Sequence, residues 1–117
     1  MHEELIILFG SQVRGTQSRE SDFDVAILGN QPFSLEQKIK FARQIANILN
    51  TKEDKIDVID LLSASPLLQY KVATTGRLLK GEKAKFIRFQ VLAWKRYLDT
   101  VKFRRFRKQK LLKQYVK

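Results

Sequence analysis

The sequence predicts an α/β fold: a small β-sheet with helices packed against it, and a basic helix at the C-terminal end. Two patterns predict it. Three short apolar runs, Leu5–Phe9, Asp24–Leu28 and Ile56–Leu62, have the length of buried strands and are bounded by turn residues or polar stretches. Between and after them, Ser34–Leu49 and the stretch beyond Glu82 repeat apolar residues at spacings of three and four, the period of a helix packed on one side. Strands that alternate with helices give a layered α/β domain. Periodicity alone does not say whether its strands run parallel, antiparallel or mixed.

The first run, LIILF, ends at Gly10 and is followed by a polar stretch carrying Gly15, read as a turn or short helix and then a loop. The second, DVAIL, ends at Gly29-Asn30-Gln31-Pro32, a cluster of turn residues. Ser34 then starts the clearest helix. Ser34 and Gln37 form a capping-box pair, Leu35, Ile39, Ala42, Ile45 and Leu49 make one apolar stripe, and Asn50 is the expected stop. The third run, IDVIDLL, leads to Ser65-Pro66, where proline at the first helical position costs no hydrogen bond. Gly76 is expected to end that helix, and Arg77–Leu79 to add a short extended piece. From Glu82 the stripe Ile87, Val91, Trp94, Leu98 and Val101, widened by Phe86, Phe89, Ala93 and Tyr97, predicts a long helix. Beyond Lys102 basic residues dominate, and the last dozen residues are expected either to fray or to be held by a partner.

With 117 residues, of which 44% are hydrophobic, the chain has room for one domain with one core. It contains no cysteine, which excludes disulfides and thiolate zinc sites. No basic segment precedes the first apolar run, and no apolar run approaches the roughly 20 residues that span a bilayer. A soluble, cytoplasmic protein with no membrane partner is expected. The net charge of +11 is unevenly spread: residues 1–70 hold 7 Lys and Arg against 10 Asp and Glu, and residues 71–117 hold 16 against 2. The basic half offers a surface to an acidic partner.

The chemistry lies in the acidic half. Asp22 and Asp24, two apart on an extended chain, point to the same side. Carboxylates that close resist joint ionisation, and a divalent cation reverses the cost. Magnesium prefers such hard oxygen ligands and shares them with substrate phosphates. Asp57, inside the third apolar run, completes a set for one or two ions. Gly10 lets the backbone approach a phosphate closely, Ser11 offers a hydroxyl and a free N–H, and Arg14 can neutralise a phosphate oxygen. Together these residues describe a site that moves a nucleotide from a triphosphate to an acceptor. Asp60 is either a supporting group of that site or simply exposed. Trp94 and Tyr97 are read as core or interface residues.

FGSQVRGTQSRESDFDVAIL, a Gly-Ser pair followed ten residues later by Asp-x-Asp, resembles the signature of the DNA polymerase β nucleotidyltransferase superfamily. Gly-Ser-x-x-Arg-Gly, Ser-Asp-x-Asp and the later IDVIDL resemble in particular the minimal nucleotidyltransferase (MNT) antitoxins of HEPN/MNT toxin–antitoxin pairs. TTGRLLKGE and the Phe86–Asp99 stretch are similar to that family's region after the third strand. The resemblance implies a mixed sheet, with residues 1–80 as the nucleotidyltransferase core and 81–117 as a C-terminal helical extension of the same domain. It implies that Gly10 and Ser11 bind the triphosphate. Asp22 and Asp24 would ligate magnesium, and Asp57 would bind metal and accept the proton of the attacking hydroxyl. It further implies ATP as donor and a tyrosine of a HEPN RNase toxin as acceptor, in a hetero-oligomer. A helix ahead of the first strand, usual in such relatives, has almost no room in the four residues before Leu5.

Two alternatives stand beside that reading: an antitoxin that neutralises by contact alone, and a transferase acting on a small molecule such as an aminoglycoside. For the basic tail, docking to a partner protein is favoured over nucleic-acid phosphates.

Overall fold

The computed structural model describes residues 3–10 and 22–115. Its elements in chain order are β1 (Glu3–Phe9), β2 (Phe23–Gly29), α1 (Leu35–Ile48), β3 (Ile56–Asp60), α2 (Pro66–Thr75), β4 (Arg77–Lys80) and α3 (Lys83–Tyr115). Short 3₁₀ turns at Glu53–Lys55 and Leu61–Ser63 flank β3. The third apolar run therefore splits: IDVID is strand, and Leu61 turns away to become a buried residue of the core.

The four strands form one mixed sheet in the order β3-β2-β1-β4. β1 pairs antiparallel with β2 and with β4, and β2 pairs parallel with β3. Strand alternation divides the core into two layers. Leu5, Ile7, Phe9 and Ala26 face α2 and α3, where Val72, Ala73, Phe89 and Ala93 meet them. Ile6, Leu8, Val25 and Ile27 face α1, where Ile45 and Phe33 complete the second layer. Continuous apolar runs such as LIILF follow directly from burial on both faces.

Local signals are realised at the α1 ends. Ser34 Oγ accepts from Gln37 N–H at 3.2 Å, and Gln37 Oε1 accepts from Ser34 N–H at 2.8 Å, closing the capping box. Asn50, at φ 53°, takes the left-handed conformation that stops the helix. The expected α1 stripe is buried only in its C-terminal part: Ile45 is fully buried, whereas Leu35 and Ile39 are exposed beside the edge strand β3. Gly76 ends α2 for a steric reason. Its backbone is extended (φ −77°), and a Cβ there would meet Val72 O and Ile7.

The long C-terminal helix forms without a break to Tyr115. Its buried side differs from the expected stripe. Phe89 and Ala93 enter the core and Tyr97 stacks on Tyr70 with ring centroids 4.0 Å apart, while Ile87, Val91 and Trp94 are about half exposed. The apolar residues of α3 cover more than one side, so spacing alone cannot choose which side meets the sheet. Gln90 Nε2 donates to Ala73 O and Arg96 to Gln69 Oε1, fixing that choice; buried Gln69 in turn donates to Leu61 O.

Candidate functional site

The acidic residues gather at one end of one sheet face. In the parallel β2–β3 pair, Asp24 is the register partner of Asp57. Ala26 and Ile59, two residues further along each strand, pack on the α2–α3 layer, so alternation sends Asp24 and Asp57 to that same side. Asp22, just ahead of β2, is exposed at the same end. β1 brings the phosphate-turn residue to them, because Phe9 is the antiparallel partner of Asp24 and Gly10 follows it.

Gly10 is held to glycine twice over. Its φ of +84° lies where side chains are strained, and a Cβ would collide with the Asp24 carboxylate, whose Cγ is 3.3 Å from that position. The turn backbone therefore lies directly against one of the predicted metal ligands. Ser11 and Arg14, expected to contact the triphosphate, lie outside the described residues.

Asp24 holds its proton above the ordinary carboxyl value of 3.8. Burial is the largest cause, followed by the negative charges of Asp57 and Asp22, with Lys71 acting in the opposite direction. Asp24 thus feels both partners, and a divalent cation among them would relieve the repulsion. Among the described residues no three His, Cys, Asp or Glu side chains form a ready-made metal cage. Magnesium is commonly held by one or two carboxylates and completed by substrate phosphates, and Asp24 and Asp57 are two carboxylates in register. The donor set is all oxygen, with neither the sulfur nor the imidazole that softer metals favour.

Asp60 serves the fold. Its carboxylate points to the other end of β3, where it accepts from Phe33 N–H at 3.0 Å and Leu62 N–H at 3.2 Å. A hollow of about 270 Å³ lined by Leu28, Leu62, Phe89 and Leu92 also lies away from the carboxylates, at the opposite end of β2. Lys71 is the residue that sequence reasoning missed. On α2 it carries no motif, and its closeness to Asp24 arises only because α2 folds back along the acidic face.

Comparison with known proteins agrees with this fold. Residues 2–85 match the family model for polymerase beta nucleotidyltransferases. Protein adenylyltransferase MntA of Shewanella oneidensis is 38% identical over 78 residues, which cover 67% of this chain and 54% of that relative. The chain thus spans about half the length of that relative. A chain in a crystal structure of a toxin–antitoxin pair with AMP-PNP superposes with a TM-score of 0.74 at 31% identity, covering 94% of this chain and 86% of the other. A structure of tri-AMPylated Shewanella oneidensis HEPN toxin in complex with MNT antitoxin matches with a TM-score of 0.67 at 26% identity, covering 94% and 83%. The mixed sheet, the turn packed on Asp24 and the match over most of the chain lead to one conclusion: this protein belongs to the polymerase beta nucleotidyltransferase family.

Proposed function

We propose that this chain is a magnesium-dependent protein adenylyltransferase that acts as an antitoxin, transferring AMP from ATP to a tyrosine of a HEPN-type RNase toxin in the cytoplasm. The observation that carries the reading is the alignment of Asp24 with Asp57 on one sheet face, with the Gly10 backbone against Asp24. Its relatives point the same way: one is named a protein adenylyltransferase, and others are solved with a toxin, an ATP analogue or AMPylated toxin.

In this reading Gly10 and Ser11 cradle the triphosphate and Arg14 neutralises a phosphate oxygen. Asp22, Asp24 and Asp57 hold the magnesium. Bound there, magnesium supplies charge neutralisation at the reacting phosphate. Asp57 takes the proton of the tyrosine hydroxyl as its oxygen attacks the α-phosphorus. The bond from the α-phosphorus to the bridging oxygen breaks, and its electron pair leaves with pyrophosphate. Asp24 and Asp57 also orient the attack, because they sit on paired strands rather than on a loop.

The half-exposed Ile87, Val91 and Trp94 on α3 favour a second reading, neutralisation by contact. Co-expressing the toxin with wild type or with the Asp22→Ala, Asp24→Ala double variant separates the two. The catalytic reading predicts that the double variant still binds the toxin but no longer protects cells. Full protection by the double variant would establish the contact reading instead.

A further inference from the structure

We propose that Lys71 is a binding residue for the β- and γ-phosphates of the donor triphosphate, and that it receives the charge of the departing pyrophosphate. This rests on the nucleotidyltransferase reading above and assigns it a residue that no sequence motif marks.

The topology places Lys71. β3 ends at Asp60, beside Ile27, at the far end of the sheet from Asp24. α2 then returns, because the strand that follows it begins with Arg77 opposite Leu8, one residue before the Phe9 that pairs with Asp24. The C-terminal part of α2 therefore reaches the end where the carboxylates stand. It also lies on their side of the sheet, since Val72 and Ala73 pack with Phe9, Ala26 and Ile59. Arg77 reaches the same end, but it alternates with Leu78 of the α2–α3 layer and so faces the other way.

Lys71 is anchored by its backbone, and its side chain reaches outward. Its carbonyl accepts the hydroxyls of Thr74 and Thr75, at 3.3 and 2.6 Å, while its side chain is exposed. Among the described residues no carboxylate lies within ion-pair distance of it.

The chemistry calls for such a charge. Three carboxylates and a triphosphate together carry more negative charge than one or two divalent cations neutralise. Asp24 and Asp57 stand on the strands and Asp22 just ahead of them, and the α-phosphate must lie there for transfer. The leaving phosphates extend beyond it, and a lysine ammonium on the adjoining helix is a mobile point charge suited to them.

The test is calorimetric titration of the intact protein with magnesium-ATP and, separately, with AMP. Lys71→Met is expected to weaken ATP binding by about tenfold to a hundredfold, with AMP affinity unchanged and the melting temperature retained; Lys71→Arg is expected to recover most of the loss. Equal weakening of ATP and AMP, or no change in either, overturns the proposal. Wild-type protein that fails to bind ATP at all would overturn the nucleotidyltransferase reading itself, a result distinct from a silent Lys71 variant.

Discussion

At the scale of single residues, Gly10 and Asp24 are one device. A Cβ at Gly10 costs about 1–2 kcal/mol in the left-handed region and must also displace the Asp24 carboxylate. Gly10→Ala is therefore expected to lower the transfer rate by at least tenfold while the fold survives, as circular dichroism and a turnover assay would show. A rate within twofold of wild type would detach the turn from the chemistry. Asp24 makes a prediction of opposite sign. A carboxyl whose proton affinity rises on folding binds its proton more tightly in the native state, so stability falls as pH climbs above 3.8 through the folded value. Without metal, Asp24→Asn should melt higher than wild type at pH 7, and the gain should vanish below about pH 4. Added magnesium should raise the melting temperature of wild type more than that of the variant.

Elements are held by groups remote from the carboxylates, and these should affect stability without affecting transfer. Asp60 joins the end of β3 to the segment leading into α1. Asp60→Ala leaves the Phe33 N–H without its partner and is expected to cost about 2 kcal/mol by denaturant titration, with the turnover of folded protein unchanged. Loss of turnover with stability retained would return Asp60 to the site. What was legible at this scale follows from how local each signal is. The Ser34–Gln37 box and Pro66 are readable because their partners lie within one helical turn. The orientation of α3 was not, because Ile87, Val91 and Trp94 are as apolar as Phe86, Phe89 and Ala93. Contacts made across the fold distinguish the two sides: the bonds of Gln90 and Arg96 to α2 and the stacking of Tyr97 on Tyr70.

For the whole molecule, the sheet order creates the site. Strand alternation sends Asp57 to the side opposite Val58, but its pairing with Asp24 needs the parallel β2–β3 register, a contact 33 positions apart in the chain that no local pattern encodes. The same holds for Lys71, whose relevance depends on the path of α2. The basic tail contributes little to this body. From Lys102 to Lys113 every side chain of α3 is exposed, so a chain ending at Lys102 should keep the melting temperature of the full chain within about 2 °C and bind ATP unchanged. A large drop in stability would mean that the tail folds onto the core.

In the proposed function, the Gly10, Asp22, Asp24 and Asp57 set transfers AMP from ATP to a partner protein. Parallel reactions with ATP labelled at the α- or the γ-phosphate, magnesium and the co-expressed toxin test it most directly. Label from the α position should appear on the toxin with wild type and be absent with the Asp22→Ala, Asp24→Ala variant, while γ label should leave as pyrophosphate. Toxin labelled from the γ position, or α label that survives the double variant, would contradict it.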